Sequence, residues 1–373
     1  MKKILTVFGT RPEAIKMVVL AKKLNQSSGL DHKLCVTGQH REMLDQVLNL
    51  FDLQPDFDLN IMQHGQDLSD VTSRILIGMR NLFRDEWKPD LVLVHGDTST
   101  CFTTALAAFY SGVKVGHVEA GLRTGNMQSP FPEEANRVLV SKIANYHFAP
   151  TDTNVQNLLD EGVDPKSIIK TGNTVIDSLL YISKKLISFS SKLERTTLPK
   201  LVSENKKYIL ITGHRRENFG DGFIQICEAI KELALANPHF YFVYPVHLNP
   251  NVQKPVNRLL KDLDNVQLIE PLEYQDFVLA MKHCYLVLTD SGGVQEEAPS
   301  LGKPVLVMRD TTERPEAVTA GTVQLVGANK ENIISGVQGL IDNQTFYNKM
   351  TKLHNPYGDG KAVNKIIDYL SKQ

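Results

Sequence analysis

The sequence has few features of secreted, zinc-binding or membrane-spanning proteins. Its four cysteines are far apart and form no CxxC pair: Cys35, Cys101, Cys227 and Cys284. This usage predicts buried free thiols in a cytoplasmic protein, and it argues against a zinc site or a disulfide framework. No apolar run approaches the roughly 20 residues that span a bilayer, so we expect no membrane insertion.

An excess of charge is also missing. The formal net charge is -1 and 22% of the residues are charged, which gives no electrostatic case for a nucleic-acid or anionic-membrane partner. Two lysines precede the first apolar run, as in a signal peptide, but that run extends only from Ile4 to Phe8 and ends at a turn. A first β-strand is therefore the better prediction.

Common cofactor and metal motifs are missing as well. The chain contains neither GxGxxG nor a P-loop, which argues against a tightly held dinucleotide and against ATP hydrolysis, so we predict no cofactor. His117-Val118-Glu119 matches half of a zinc-deaminase signature, but the PCxxC partner is missing. Asp56-Phe57-Asp58 could hold a metal, yet it follows Pro55 in a polar loop, and a turn is the better prediction. We predict no metal site.

Strand-length apolar runs alternate with helix-period segments along the chain, a pattern typical of βαβ units around parallel sheets. The predicted strands are Ile4 to Phe8, Leu34 to Thr37, Leu91 to Val94, Val113 to Val118, Tyr146 to Ala149, Tyr208 to Thr212, Phe240 to Tyr244, Val266 to Ile269, Tyr285 to Thr289, Pro304 to Val307 and Thr322 to Leu325. The predicted helices of the first half are Pro12 to Asn25, Arg41 to Phe51, Thr98 to Tyr110 and Glu133 to Ile143.

A polar stretch from Ser190 to Lys207 interrupts this alternation. At 373 residues, the chain exceeds the length at which one core keeps growing. We therefore predict an α/β fold of two Rossmann-like, doubly wound domains that face a cleft. The predicted N-terminal domain covers residues 1–180 and the C-terminal domain covers 181–360.

Three carboxylates of the first half follow an apolar run or a turn signal: Asp97, Glu119 and Glu133. Ligands of open parallel sheets bind outside the carboxyl ends of the strands, so acids at these positions would face a substrate. Taken singly, Asp97 could be a helix N-cap, and Glu133 could be favoured in a first helical turn by the helix dipole. Glu119 opens no evident helix. Their recurrence indicates proton-transfer chemistry.

The second half contains a candidate phosphate site. Asp290-Ser291-Gly292-Gly293 follows a predicted strand and precedes a helix-like segment. Such a turn exposes backbone N–H groups where the helix dipole favours an anion, and Glu297, one turn into the helix, could accept hydrogen bonds from ribose. The alternative is a helix capped by Ser291, with the glycines serving a tight turn.

Cations follow strands in both halves. His214, Arg215 and Arg216 come after the strand Tyr208 to Thr212, Arg11 follows the first strand, and Lys16 lies early in the next helix. Exposed arginines in loops are usually only solvated. Because guanidinium groups match phosphate geometry, however, this placement favours a diphosphate clamp.

Together these segments closely resemble the non-hydrolysing bacterial UDP-N-acetylglucosamine 2-epimerases, nearly from Lys2 to the tail. The motifs are Gly9-Thr10-Arg11-Pro12-Glu13, Gly38-Gln39-His40-Arg41, His95-Gly96-Asp97, His117-Val118-Glu119-Ala120-Gly121-Leu122-Arg123, Pro132-Glu133-Glu134-x-Asn136-Arg137, His214-Arg215-Arg216-Glu217-Asn218 and Asp290-Ser291-Gly292-Gly293-x-Gln295-Glu296-Glu297. The resemblance implies a glycosyltransferase B type fold, a homodimer, and a C-terminal helix within 361–373 that packs back on the first domain. It also implies an isomerase that interconverts UDP-N-acetylglucosamine and UDP-N-acetylmannosamine for cell-surface polysaccharide synthesis.

The resemblance also assigns roles to residues. The implied catalytic residues are Asp97, Glu119, Glu133 and His214. The implied UDP-binding residues are Arg11, Lys16, Arg137, Phe277, Ser291, Gly292, Gly293, Glu297 and Arg314. Family members bind a second substrate molecule as an activator, and the implied regulatory residues are Gln39, Gln66, Arg215 and His247. Gly65 departs from the pattern, because some relatives have a basic residue there.

Chemistry restricts how such an enzyme works. The hydrogen on sugar carbon 2 has no adjacent carbonyl, and the sequence has no NAD fingerprint, which leaves loss and re-addition of UDP at carbon 1 as the route. Three rivals stay open. A glycosyltransferase would need an acceptor groove, and a hydrolysing epimerase would admit water and usually carries a fused kinase domain. A nucleotide-sugar sensor would not need three acids at strand ends.

Overall fold

In the computed structural model, which describes residues 1–39, 41–186, 188–194 and 196–373, the chain divides into two units. The first unit comprises Met1–Ser178 and Tyr357–Gln373, and the second comprises Leu179–Pro356. His40 of the second motif, Ile187, and Arg195 of the polar stretch lie outside the described residues.

The first unit is built on a parallel sheet of seven strands in the order β3-β2-β1-β4-β5-β6-β7. Its strands are β1 (Lys2–Phe8), β2 (Leu30–Val36), β3 (Phe57–Asp58), β4 (Leu91–His95), β5 (Lys114–Val118), β6 (Tyr146–Ala149) and β7 (Ile168–Lys170). Its helices are α1 (Arg11–Asn25), α2 (Arg41–Leu50), α3 (Leu68–Asn81), α4 (Ser99–Tyr110), α5 (Glu133–Ile143), α6 (Asp152–Asp160) and α7 (Thr174–Lys185), the last of which crosses the unit boundary.

The second unit repeats this plan with six parallel strands in the order β10-β9-β8-β11-β12-β13. Its strands are β8 (Tyr208–Thr212), β9 (Tyr241–Pro245), β10 (Val266–Ile269), β11 (Leu286–Thr289), β12 (Val305–Val307) and β13 (Val323–Leu325). Its helices are α8 (Leu198–Ser203), α9 (Asp221–Ala236), α10 (Pro250–Leu260), α11 (Tyr274–His283), α12 (Gly292–Ser300), α13 (Pro315–Thr319), α14 (Lys330–Asp342) and α15 (Gln344–Lys352).

The predicted fold class is confirmed, because both units are parallel α/β sheets with the strand order of doubly wound folds. Apolar strands are buried on both faces in such sheets, which explains why β4 and β8 read as continuous hydrophobic runs. The turn predicted at Asp56-Phe57-Asp58 is wrong: Phe57 and Asp58 form β3 beside β2. Strands of two or three residues, such as β3 and β7, are too short to show a period.

The last helix, α16 (Ala362–Leu370), belongs to the first unit and contacts α1. Its first two N–H groups, those of Ala362 and Val363, donate to the carboxylate of Asp177 at 3.2 and 3.1 Å. Asp177 is buried, and burial raises its pKa to about 6. Among the described residues, no helix has the length and apolarity needed to cross a bilayer.

Candidate active site

In each unit the strand order reverses beside its first strand, between β1 and β4 in the first unit and between β8 and β11 in the second. The loops that follow these strands separate at such a switch point and leave a crevice for a ligand. Every strand-end motif singled out in the sequence, except those after β2 and β5, lies on one of these four loops.

A buried carboxylate joins the two switch-point loops of the first unit. Glu13 Oε2 accepts hydrogen bonds from Gly9 N and Thr10 N at 3.0 and 2.8 Å, and its Oε1 accepts one from the Thr98 hydroxyl at 2.5 Å. Burial raises the pKa of Glu13, although these donors act in the opposite direction. Glu13 therefore fixes the loop after β1 against the loop that contains Asp97. Sequence reasoning missed this role, although Thr10 and Glu13 have the spacing of a capping box.

Asp97, in the loop after β4, lies against Arg137 of α5. Arg137 Nε and Nη2 donate to Asp97 Oδ2 at 3.0 and 2.6 Å, and Nη1 donates to Glu134 at 3.0 Å. Arg137, 8% exposed, thus orients Asp97, while its predicted contact with UDP stays a prediction. The alternative role of Asp97 as an N-cap is wrong, because Thr98 caps α4 and accepts from Cys101 N at 3.0 Å.

Glu119 follows β5 and is surrounded by polar side chains. It forms an ion pair with Lys16, and its Oε2 accepts from Asn173 Nδ2 at 3.2 Å and lies 3.2 Å from His95 Nε2. Burial opposes its ionisation, but the charge of Lys16 and the neighbouring His95 hold the pKa of Glu119 well below its usual value. Lys16, predicted to bind UDP, thus contacts a predicted catalytic residue. Nothing in the sequence linked Asn173 to Glu119.

The backbone at Glu119 is strained. Its φ is 63°, in the left-handed region of backbone conformation that residues other than glycine rarely adopt. Such conformations cost about 1–3 kcal/mol and persist where the surrounding structure enforces them, often at functional sites. The hydrogen bonds and the ion pair of the Glu119 side chain supply that enforcement.

Glu133 is the first residue of α5 and lines a cavity of about 580 Å³ in the first unit. Asp97, Arg11 and Gln39 line the same cavity. Glu133 Oε2 is buried and has no hydrogen-bond partner among the described residues. The structure therefore brings two of the predicted catalytic acids, Asp97 and Glu133, to one cavity, and one oxygen of Glu133 has no partner within the described part of the chain.

In the second unit, a buried carboxylate again joins the two switch-point loops. Asp290, after β11, accepts hydrogen bonds through Oδ2 from His214 N and Arg215 N at 2.7 and 2.8 Å. The His214 ring stacks on His247 with ring centroids 5.3 Å apart. Burial lowers the pKa of His214, and the carboxylate of Asp290 opposes this shift.

Helix α12 begins where the sequence predicted an anion site. Ser291 occupies the N-cap position, as the alternative expected, but its side chain makes no capping hydrogen bond with a described residue. A Cβ added at Gly292 would lie 2.7 Å from Nη1 of Arg314, whereas one added at Gly293 would meet nothing within 4 Å. The backbone at Gly293 is thus open to close approach.

The other predicted UDP-binding residues of this unit lie on α11, α12 and at the start of α13. Arg314 Nε donates to Glu296 at 2.6 Å, and Glu297 accepts from the Tyr274 hydroxyl at 3.1 Å. Phe277 lies on α11, one turn after Tyr274, and is half-buried. These contacts orient Arg314 and Glu297, and the UDP-binding roles stay predictions.

Three of the four predicted regulatory residues, Gln39, Arg215 and His247, adjoin predicted catalytic residues, whereas Gln66 contacts Arg74. In the first unit, Gln39 lines the cavity of Asp97 and Glu133, and Gln66 Oε1 accepts from Arg74 Nη1 at 3.3 Å. In the second unit, Arg215 and His247 flank His214, as described above. No cluster of three or more metal-ligating side chains occurs within the described ranges.

Comparisons with known proteins agree with this arrangement. The profile of the UDP-N-acetylglucosamine 2-epimerase family matches residues 22–371. The chain is 58% identical to the UDP-N-acetylglucosamine 2-epimerase of Campylobacter jejuni, over 100% of this chain and 98% of that protein. It is also 58% identical to the enzyme of Escherichia coli strain K12, over 99% of this chain and 98% of that protein.

The chain belongs to the UDP-N-acetylglucosamine 2-epimerase family. Its structure superposes on the crystal structure of a family member, the Neisseria meningitidis enzyme bound to UDP-GlcNAc, with a TM-score of 0.87 and 52% identity over 100% of both chains. The family resemblance predicted from the sequence motifs is therefore confirmed.

Proposed function

We propose that this protein is an isomerase that interconverts UDP-N-acetylglucosamine and UDP-N-acetylmannosamine by eliminating UDP and adding it back. The observation that carries the proposal is the set of acids at strand ends in the first unit: Asp97 and Glu133 line one cavity, and Glu119 is held ionised by Lys16. Family membership supports the substrate, because a related enzyme was crystallised with UDP-GlcNAc.

The chemistry starts with cleavage of the bond between carbon 1 and the diphosphate oxygen, and UDP leaves with the electron pair. Positive charge on carbon 1 makes the neighbouring hydrogen acidic, so a carboxylate removes it from carbon 2 as a proton and a double bond forms between the two carbons. UDP then attacks carbon 1 again while a proton reaches carbon 2 from the opposite face. Two faces require two proton carriers.

The carboxylates of the first unit suit these roles. A low pKa keeps Glu119 deprotonated at neutral pH, the form that can accept a proton. One buried oxygen of Glu133 makes no hydrogen bond with a described residue, so this oxygen is available to a substrate proton. Arg137 holds Asp97 in one orientation, as a proton carrier requires.

The second unit suits the leaving group. The N–H groups at the start of α12 and the helix dipole stabilise an anion, and the glycines allow the diphosphate to approach the backbone. His214 and Arg215 add polar and positive groups on the neighbouring loop. Stabilisation of charge that develops in the transition state is usually the largest single contribution to catalysis.

The decisive experiment is proton NMR of UDP-N-acetylglucosamine incubated with the pure protein in heavy water. Both epimers with deuterium at carbon 2 are expected. Free N-acetylmannosamine with UDP would instead identify a hydrolysing epimerase. An unchanged spectrum would contradict the proposal and favour a transferase or a nucleotide-sugar sensor.

We also propose a homodimer. Large apolar side chains are exposed on three neighbouring helices of the first unit, α3, α4 and α5: Ile77, Phe109, Tyr110 and Leu139. An exposed apolar surface of this kind is typical of protein interfaces, and a second copy of the chain would cover it. Sedimentation velocity of the wild type should give a dimer, and Phe109→Glu with Tyr110→Glu should give a monomer.

UDP-N-acetylglucosamine is also proposed as an activator. Gln39 and His247 adjoin predicted catalytic residues, so a second bound substrate could bias the same loops. The initial rate should then rise sigmoidally with substrate concentration, and Gln66→Ala should reduce the sigmoidicity. A hyperbolic curve for the wild type would contradict activation.

The cytoplasm is the proposed compartment, because all four cysteines are buried free thiols. There the product would supply cell-surface polysaccharide synthesis.

A further inference from the structure

Asp290 uses its two carboxylate oxygens differently. Oδ2 accepts hydrogen bonds from the main-chain N–H groups of His214 and Arg215, as described above, and lies 3.5 Å from Asn218 Nδ2. Oδ1 is buried and makes no hydrogen bond with any residue that the structure describes. Asp290 is 0% exposed, and a buried carboxylate oxygen without a partner is costly.

The ring of His214 is a proton-donating group close to that oxygen. Its Nδ1 lies 3.6 Å from Oδ1, which is beyond hydrogen-bond distance, although such contacts often shorten when a ligand binds. The side chain of His214 is 45% exposed, and its ring stacks on His247. With Nδ1 directed at Asp290, Nε2 is the nitrogen left for a ligand.

We propose that Asp290 is a positioning residue for His214: Oδ2 fixes the loop, and Oδ1 holds the ring as the Nδ1–H tautomer, so that Nε2 takes part in the reaction. The role of Nε2 in the reaction rests on the proposed function, whereas the tautomer does not. A carboxylate that accepts from Nδ1–H fixes both the ring orientation and the nitrogen that exchanges protons.

Among the described residues, Asp290, His247 and Arg215 act on the protonation of His214. Asp290 stabilises the protonated ring, whereas His247 and Arg215 disfavour it, together with burial. Removal of the Asp290 charge should therefore lower the pKa of His214. An opposite charge at this range typically shifts a pKa by about one unit or more.

The first test uses the wild-type protein. Ring nitrogen chemical shifts of His214, measured on protein labelled with 15N in histidine at pH 8, should show Nδ1 protonated and Nε2 unprotonated. The assignment of the signal comes from His214→Gln, in which it disappears. A neutral ring protonated on Nε2 would overturn the proposal, and this result does not depend on whether any variant folds.

The second test is Asp290→Asn. The amide oxygen can still accept from the two main-chain N–H groups, but the amide nitrogen then faces Nδ1 and donates to it, which favours the Nε2–H tautomer. We expect this tautomer and a fall of about one unit in the pKa of His214. Asp276→Asn is the matched control, because Asp276 is a buried aspartate of the same unit that binds Ser190 and should leave His214 unchanged. Identical shifts in Asp290→Asn and the wild type would overturn the proposal.

Activity separates this inference from the proposed function. In Asp290→Asn we expect kcat for epimerisation to fall on the order of 10²-fold while UDP still binds. A wild type that does not epimerise would refute the proposed function but leave the tautomer result standing. A wild type that epimerises, with an Asp290→Asn variant of equal kcat, would refute the role of Asp290 alone.

Discussion

The two units share a strand order and a buried carboxylate that bridges two loops, but they differ in the side chains on those loops. In both, a buried carboxylate bridges the two loops at the switch point: Glu13 reaches Thr98 in the first unit, and Asp290 reaches His214 in the second. The first unit presents carboxylates held by cations, whereas the second presents a helix start with two glycines beside a histidine. We therefore propose that the same scaffold supports proton transfer in one unit and anion binding in the other.

The difference shows that the function of a doubly wound fold is decided by the residues on its switch-point loops and not by the sheet. Lys16 holds the pKa of Glu119 low, and the two hydrogen bonds from Arg137 fix the orientation of Asp97, so both carboxylates are placed as proton carriers must be. Main-chain N–H groups at a helix start carry no titratable proton, so they bind a diphosphate without competing for protons.

The largest effect should come from the acids of the first unit. Asp97→Asn, Glu119→Gln and Glu133→Gln should each reduce epimerisation by about 10²- to 10⁴-fold, while UDP affinity measured by titration calorimetry stays within a few-fold of wild type. Loss of UDP binding in all three would break the assignment of proton transfer to one unit and anion binding to the other. Full turnover by all three would reject the catalytic assignment.

Lys16→Met should have the next largest effect. It leaves Glu119 buried without its counter-ion, which should cost about 3–5 kcal/mol in the free energy of unfolding. The pKa of Glu119 should also rise, so the acidic limb of the pH–rate profile moves to higher pH. Urea unfolding and the pH profile measure the two effects.

Lys22→Met on the same helix is the control. Lys22 lies 4.0 Å from Asp52, whose side chain is 72% exposed, and exposed pairs contribute at most about 1 kcal/mol. Equal destabilisation by the two substitutions would contradict a special role for the Lys16 pair.

Asp177 binds the first two N–H groups of α16 and so attaches this helix to the first unit. Its pKa of about 6 in the folded protein exceeds its usual value of 3.8, so the folded state binds the proton more tightly. This stabilisation is present below pH 4 and is lost as the pH rises through 6. The loss should reach roughly 3 kcal/mol.

Asp177→Asn should remove that part of the pH dependence, which urea unfolding between pH 4 and 6 would measure. Asp152→Asn, at an exposed aspartate paired with Lys170, should keep the wild-type slope. An unchanged slope in Asp177→Asn would contradict this account.

The smallest expected effect is that of Gly293→Ala in the second unit. The free protein has room for the methyl group and should be no less stable, but the added Cβ would obstruct a diphosphate at the helix start. UDP affinity should fall about tenfold, or about 1.4 kcal/mol. Gly339→Ala on α14 also has open space and should leave UDP affinity unchanged. Equal UDP affinity of Gly293→Ala and Gly339→Ala would show that the diphosphate does not bind at the start of α12.

Sequence patterns predicted most of the longer strands, because buried parallel strands read as apolar runs such as β4 and β8. They missed β3 and β7, which have two and three residues and no period. The prediction for β2 was shifted: it began at Leu34, whereas the strand begins at Leu30. The motifs also placed Asp97, Glu119 and the Ser291-Gly292-Gly293 turn at strand ends. They could not pair Lys16 with Glu119, which lies 103 residues away in the chain.

The sequence by itself therefore determined the fold class, the family and the position of polar residues at strand ends, because these depend on local periodicity and on contiguous motifs. Only the tertiary structure decided which cation holds which acid, that Glu13 and Asp290 bridge loops, and that Lys16 holds the pKa of Glu119 low while an oxygen of Glu133 has no partner among the residues the structure describes. Those properties depend on distances and burial between segments far apart in the chain, and a linear pattern does not record them.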